Sequence, residues 1–249
     1  MAAGKFLAEG PQAVREALGQ PGVVSRLFVS AAGAQRHRDL ITATLDQGVE
    51  VVLAPDREHA ELSDTVTPQG LVAVCSAVDV PLDQALSAGP GLVVCCAQVR
   101  DPGNAGTVIR CADAFGAGAV VLSVGSVDPY NSKTVRASAG SLFHLPVVSG
   151  VEVADAVAAF RQRGMQVLAA DGAGDSDLDE LAGSGQLVGP TVWLMGNEAW
   201  GLTADHAALA DRVVRVPLYG RAESLNLSTA AAVCLWASAS AQRNARPAQ

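Results

Sequence analysis

The chain has 249 residues, enough for one large domain or two modest ones, and 49% of them are hydrophobic, enough to fill a packed core. Its longest apolar runs, 91–97 and 230–237, are too short to cross a bilayer, so no membrane span is expected. A formal net charge of −8 argues against a nucleic-acid partner, since phosphate binding normally draws on Lys and Arg.

The opening MAAGKFLAEGPQAV carries one Lys and an early Glu-Gly-Pro, which is not the pattern of a secretory leader. Periodicity then predicts a short helix over 14–18, a strand over 25–30, a polar helix over 34–47 and a strand over 49–53. A helix over 56–62 and a strand over 71–76 complete a small α/β unit, expected to span residues 1–76. Arg36, His37 and Arg38 form its one basic cluster, open to two readings: a solvated helix face or an RNA contact. Residues 77–89, with Pro81 and followed by Pro90, read as a linker.

Beyond the linker, strands and helices alternate as in a parallel sheet with crossover helices. Strands are predicted at 92–99, 119–124, 143–148, 166–170, 191–195 and 212–216, and helices at 106–115, 132–140, 153–163 and 228–243. This second unit is expected to occupy 90–249. Its stretch 90–145 holds four basic and three acidic groups, the least acidic part of the chain, whereas five acids crowd into 171–180. Local potential, rather than the total, decides which partners approach.

Five cysteines (Cys75, Cys95, Cys96, Cys111, Cys234) are odd in number and show no Cys-x-x-Cys spacing, which suits buried thiols in a reducing compartment, the cytoplasm. His37, His59, His144 and His206 are too scattered for a triad, and no His/Cys set has metal-ligand spacing, so metal-free chemistry is expected. Trp193, Trp200 and Trp236 read as packing residues.

Three blocks carry the chemistry. Residues 101–110 read Asp-Pro-Gly-Asn-Ala-Gly-Thr-Val-Ile-Arg, residues 194–202 read Leu-Met-Gly-Asn-Glu-Ala-Trp-Gly-Leu, and residues 216–228 read VPLYGRAESLNLS. Alone, the last block is a helix N-cap ahead of an Ala-rich helix. In that order, with Asn104/Gly106/Arg110, Gly196/Glu198/Gly201 and Pro217/Gly220/Ser224/Leu225/Asn226/Ser228, the three resemble the motifs of the SpoU/TrmH family of RNA ribose 2′-O-methyltransferases. The resemblance is strong over 90–240 and weak before it.

The family resemblance implies a SPOUT methyltransferase domain with a C-terminal trefoil knot, preceded by an L30e-like RNA-binding domain, in a homodimer. Nothing in the periodicity implies the knot. The resemblance implies S-adenosylmethionine as donor, held at Gly196, Val216 and Leu225. Gly196 and Gly201 would let backbone approach that ligand, and Val216, Leu218 and Leu225 would wall its adenine. Arg110 would bind phosphate and steady the developing alkoxide, because a guanidinium is a poor base. Glu198 would serve as base or as an orienter of Arg110, and Asn104, Ser224 and Asn226 would orient the ribose and the loop. Lys133, Arg136 and Ser138 are further RNA-contact candidates, along with Arg36 and Arg38. Ribosomal RNA, 23S above all, is favoured over tRNA as substrate. A tRNA enzyme of the same family and a non-catalytic RNA-binding module are the alternatives. A dinucleotide fold fails because the first block has Gly103-x-x-Gly106 in place of Gly-x-Gly-x-x-Gly.

Overall fold

The computed structural model describes residues 4–63, 65 and 67–245; residues 1–3 and 246–249, inside the expected domain limits, lie outside the described residues. The first unit pairs strands β1 (Lys5–Glu9), β2 (Val24–Val29), β3 (Glu50–Leu53) and β4 (Leu71–Ser76) in the order β1-β4-β2-β3. Helices α1 (Gly10–Leu18), α2 (Ala31–Arg36), α3 (Arg38–Asp46) and α4 (Asp56–Glu61) connect them. The helix predicted over 34–47 is broken at His37, which caps α2 and opens α3 with non-helical dihedrals.

Residues 77–89 are not a free tether. The Tyr130 hydroxyl accepts from Val78 N and Asp79 N, Val80 N donates to Val147 O, and the short helix α5 (Leu82–Ala85) buries Ala85.

The second unit is a seven-stranded parallel sheet built from β5 (Leu92–Cys96), β6 (Ala119–Ser123), β7 (Val147–Val151), β8 (Gln166–Ala170), β9 (Ser176–Asp177), β10 (Thr191–Met195) and β11 (Arg212–Arg215). Their order is β7-β6-β5-β10-β8-β11-β9. The central strands LVVCC, AVVLS and TVWLM are buried at every residue, the signature of parallel strands covered on both faces. On one face Val94, Cys96, Leu122 and Trp193 pack under α6 (Pro102–Ala114) and α11 (Leu227–Asn244). On the other, Val93, Cys95, Val121 and Leu194 meet Val157 and Phe160 of α8 (Val153–Gln162). Trp193 keeps its indole N–H satisfied at Ser238 Oγ, 2.9 Å away. The remaining helices are α7 (Ser132–Ala137), α9 (Leu178–Gly183) and α10 (Ala204–Ala207); residues 141–143 form a 3-10 turn, and the strand expected over 143–148 is shifted to β7 at Val147–Val151.

Gly106 sets the spacing of α6 and α7. A Cβ there would collide with Thr134 O and Ala137 Cβ. Gly106→Ala is therefore expected to cost about 1–3 kcal/mol of stability through overpacking. A fall of several degrees in thermal midpoint would check it.

The two units dock through Phe6, which stacks on Tyr130 at 4.5 Å and on Phe143 at 6.0 Å between ring centres. His144 clasps the same junction, with Nδ1 2.7 Å from Asp113 and Nε2 3.0 Å from Glu16. Those hydrogen bonds, Asp113 first, raise its pKa above the ordinary 6.5. A raised folded-state pKa means a stabilisation fully present below the unfolded value and lost as pH rises through the folded one. With 38% of the side chain exposed, screening should hold the effect to about 1 kcal/mol or less. Thermal midpoints taken upward from about pH 6 should fall more steeply in the natural chain than in His144→Gln.

Candidate active site

Loops at the carboxyl ends of β5, β10 and β11 converge, as crossover geometry in an open parallel sheet favours. After β5 the chain passes through Gln98, a non-glycine residue with φ 57°, whose N–H donates to Ser123 Oγ and whose carbonyl accepts from Asn197 Nδ2 at 2.6 Å. Asp101 then caps α6 by accepting from Asn104 N at 2.8 Å, with Pro102 at the first helical position. That N–H, and after it Lys133 Nζ at 3.0 Å, hold the Asp101 carboxyl below the usual range.

After β10, residues 196–202 fold back on themselves. Asn197 N donates to Gly201 O at 2.8 Å and Gly201 N to Asn197 O at 2.9 Å. A Cβ on Gly196 would collide with the backbone of Gly201 and Leu202, and Gly201 itself has φ +69°. The missing side chain at Gly196 and the positive φ at Gly201 let the loop close on itself, and both residues also line the cavity between the loops. After β11, residues 216–226 run to Asn226, which caps α11 by accepting from Ser228 N at 2.9 Å and from Ser228 Oγ at 2.7 Å.

One chain of hydrogen bonds ties the three loops together. Asn226 Nδ2 donates to Asn104 Oδ1 at 3.0 Å, and Asn104 Nδ2 donates to Glu198 Oε1 at 3.2 Å. Glu198 also accepts from Asp101 N at 3.1 Å and Arg100 N at 3.2 Å. It is therefore a clamp between the first and second loops. It makes no hydrogen bond or ion pair with Arg110 among the described residues, against the one of its two expected roles in which it orients that side chain.

Between the loops lies a cavity of about 830 Å³. Gly196, Gly201, Val216, Leu218 and Leu225 all line it, as do Glu198, Ser224 and Asn226. The structure adds wall residues that the motifs did not single out, among them Asp171, Trp200 and Arg215. Arg215 is held by Asp177 through two bonds of 2.6 and 3.0 Å. Trp200 is 49% exposed at the rim rather than packed, with the Arg100 guanidinium 5.0 Å from its ring centre. A lone Trp in a Gly-rich loop was the available signal; the Arg100 partner, a hundred positions away, had none.

Arg110 stands apart from this wall. It lies in the third turn of α6, beyond the first turns where it was expected, exposed together with Ala114 on the face that also carries the partly buried Gly103 and Thr107. No hydrogen bond or ion pair engages it among the described residues. Six residues of helix separate it from Asn104 by about 9 Å along the axis.

The other RNA-contact candidates divide. Lys133 is half-exposed beside the first loop, paired with Asp101. Arg136 is turned inward, where its Nη1 donates to Glu9 Oε2 at 3.0 Å across the junction of the two units. Ser138 is fully buried and donates to Val135 O, so it is corrected from RNA contact to packing residue. Arg36 and Arg38 are exposed on the far unit, and Arg36 bonds to Ala32 O.

All five thiols are free, and burial pushes Cys75, Cys95 and Cys234 up to about 12, so these three are not nucleophiles. Among the described residues no group of three His, Cys, Asp or Glu could hold a metal ion, and no helix is long and apolar enough to cross a membrane.

Known proteins resemble this chain in sequence and fold. Residues 91–236 match the model of the SpoU rRNA methylase family, and residues 7–81 match that of the RNA 2′-O ribose methyltransferase substrate-binding domain. A Bacillus subtilis protein named 23S rRNA (guanosine(2553)-2′-O)-methyltransferase is 34% identical over 93% of this chain and 87% of its own. A Streptomyces viridochromogenes 23S rRNA (uridine(2479)-2′-O)-methyltransferase is 35% identical over 75% of this chain and 66% of its own. The crystal structure of the SpoU methyltransferase AviRb from Streptomyces viridochromogenes, with the cofactor AdoMet, superposes with a TM-score of 0.82 at 31% identity, covering 98% of this chain and 92% of that one. An AdoMet-bound rRNA methyltransferase from Sinorhizobium meliloti gives 0.79 at 30% identity, covering 98% and 88%. With the three loops closed around one cavity and the family model matched over most of the parallel-sheet unit, this chain belongs to the SpoU rRNA methylase family.

Proposed function

We propose that the chain methylates a ribose 2′-hydroxyl of 23S ribosomal RNA, with S-adenosylmethionine held in the 830 Å³ cavity. The observation that carries the reading is the Asn226–Asn104–Glu198 chain of hydrogen bonds, which closes three distant loops around that one space. The space suits the donor. Its volume lies in the range of about 300–1,000 Å³ typical of cofactor sites, Val216, Leu218 and Leu225 offer an apolar wall, and Asp171, Glu198 and Glu223 face it with carboxylates that favour a cation. When bound, S-adenosylmethionine supplies an electrophilic methyl on a sulfonium.

The chain's own residues do the rest. Gly196 and Gly201 present backbone groups; Ser224, with no hydrogen bond among the described residues, and Asn226 orient the ribose. Arg110 meets the neighbouring phosphate and steadies the oxygen as its proton leaves. The exposed Trp200 and Arg100 offer a rim against which RNA can lie.

The same reading makes residues 1–76 an RNA-binding unit, 77–89 a connector and 90–249 the catalytic unit. The two sheets and the separate family matches support that division. A trefoil knot is part of it, supported by β10 lying between β5 and β8 and by α11 packing back on α6 and β5. A homodimer is supported by Trp236, 58% exposed beside the half-exposed Ala232 and Val233 on α11, and by Arg110 standing off its own cavity wall. Reduced, buried thiols suit the cytoplasm.

Tritiated S-adenosylmethionine incubated with deproteinised ribosomal RNA should label one 23S nucleotide as its 2′-O-methyl derivative. Label in tRNA instead would move the substrate, and no label in any RNA would sink the enzyme reading. The two named relatives act on a guanosine and a uridine, so mapping must decide the base.

A further inference from the structure

A buried strut joins the same loops as the exposed Glu198 clamp. Asn197 is 5% exposed and is the one carboxamide among the buried polar side chains of the described residues. Its Nδ2 donates to Gln98 O at 2.6 Å, and its Oδ1 accepts from Ala199 N at 2.8 Å. From the other side, the buried Ser123 at the end of β6 accepts from Gln98 N through its Oγ at 2.9 Å. That hydroxyl in turn donates to Val124 O at 3.1 Å. Both backbone groups of Gln98 are thus held by buried side chains, one from β6 and one from the loop after β10.

Gln98 needs that hold. Among the described residues two non-glycine residues have positive φ. Ala139 (φ 50°) closes α7, an ordinary place for such a residue, whereas Gln98 (φ 57°) follows a strand. A side chain in the left-handed region is unfavourable and persists where neighbours over-determine the backbone. The turn aims what comes next. Two and three residues on, the N–H groups of Arg100 and Asp101 both reach Glu198, and Asp101 caps α6. α6 carries Asn104, the middle of the chain from Asn226 to Glu198. Asn197 belongs to the loop whose Gly196, Glu198 and Gly201 line the methyl-donor cavity. The strut therefore sets α6 and its leading loop against the donor loop.

We propose that Asn197 and Ser123 are positioning residues for methyl transfer, which fix the backbone of Gln98 and through it the alignment of donor and acceptor sides. Ser123 lies outside the wall of the donor cavity, so its effect on the reaction runs through the backbone it holds. Misplacing aligned groups by about 1 Å can cost about 10²-fold in rate. The proposal rests on the methyl-transfer reading above.

Asn197→Asp and Ser123→Ala test it in the full chain. The aspartate keeps the shape and still accepts from Ala199 N, but it offers the Gln98 carbonyl no N–H. Single-turnover rates are taken with S-adenosylmethionine and ribosomal RNA both saturating, well below the thermal midpoint of each variant. They should fall about 10²-fold in Asn197→Asp and about tenfold in Ser123→Ala, the scale of one lost hydrogen bond. The affinity of Ser123→Ala for S-adenosylmethionine in calorimetry, and its KM for RNA, should be unchanged. A residue that only stabilises the fold would lower the midpoint and leave these saturated rates intact. Amide exchange read by mass spectrometry adds a measure independent of activity. Residues 97–101 should exchange about tenfold faster in either variant, while β5 and β10 stay as slow as in the natural chain. Should Asn197→Asp fail to fold, Ser123→Ala carries the test alone. A natural saturated rate in Ser123→Ala, unchanged exchange over 97–101, or a rate loss matched by lost donor affinity overturns the proposal. Transfer by the natural chain that Ser123→Ala leaves intact sinks the strut alone, whereas no transfer by the natural chain sinks the enzyme reading.

Discussion

Arg110→Ala is expected to lower single-turnover methyl transfer by about 10³-fold, the scale of losing a preorganised charge at a developing oxyanion, and to leave S-adenosylmethionine affinity unchanged in calorimetry. The structural cost should be small. The side chain is exposed on α6 and has no partner among the described residues, and surface substitutions of that kind stay within about 0.5 kcal/mol. A large kinetic loss with no stability loss would therefore report chemistry. Arg110→Lys keeps the charge but not the planar fork that grips phosphate in two places, so it should recover only part of the rate. Because Arg110 does not line the cavity of its own chain, the dimer reading adds a second expectation. Mixing inactive Arg110→Ala with an inactive variant of the donor wall, such as Leu225→Glu, should restore activity through composite sites. Parallel loss of donor binding and rate in Arg110→Ala would remove Arg110 from the reaction.

The sequence made some of this architecture legible and hid the rest for identifiable reasons. Strands 92–96, 119–123 and 191–195 were visible because a parallel strand covered on both faces is apolar at every position. β1 was missed: KFLAE is a short strand whose pairing partner, β4, lies more than sixty positions away. β9 and α9 were missed because five acids over 171–180 look like a solvated loop, although Leu178 and Leu181 reach the core. α6 begins at Pro102, four residues before the predicted start, because Asp101 and Pro102 form its cap and first helical position although Pro-Gly also suits a turn.

The site shows the same division. Motif spacing picked out the five cavity-wall residues proposed for the donor, and Asn104, Glu198 and Asn226 as well, but not the hydrogen bonds among these three, because spacing is local to each loop and those bonds join different loops. It misjudged Ser138, because a hydroxylic residue near a motif looks alike whether it faces RNA or packs inside its own unit. It could not show that Gly196 also lets its loop close against Gly201 and Leu202, since a glycine required by a ligand and one required by the opposite side of its own loop leave the same letter.

Glu198 provides the second large effect and separates a positioning role from a proton-transfer role. Its Oε1 accepts from Asp101 N and Asn104 Nδ2, and its Oε2 accepts from Arg100 N. Removing all three bonds in Glu198→Ala should free the second loop from the first. The expected loss is about 10²-fold in rate, equivalent to about 2.7 kcal/mol, with weaker donor binding because the same residue lines the cavity. Glu198→Gln can keep its carbonyl oxygen where Oε1 accepts two of the three bonds, and only Arg100 N then faces an amide that cannot accept. If Glu198 is a clamp, this variant should lose no more than about tenfold, one charge-assisted hydrogen bond, and the pH dependence of the rate should keep its shape. If Glu198 instead takes the proton from the 2′-hydroxyl, glutamine should be as damaging as alanine and the low-pH limb of the rate profile should vanish. Single-turnover rates of the natural chain and both variants across pH distinguish the two outcomes. The three donors already gathered on this carboxylate favour the clamp.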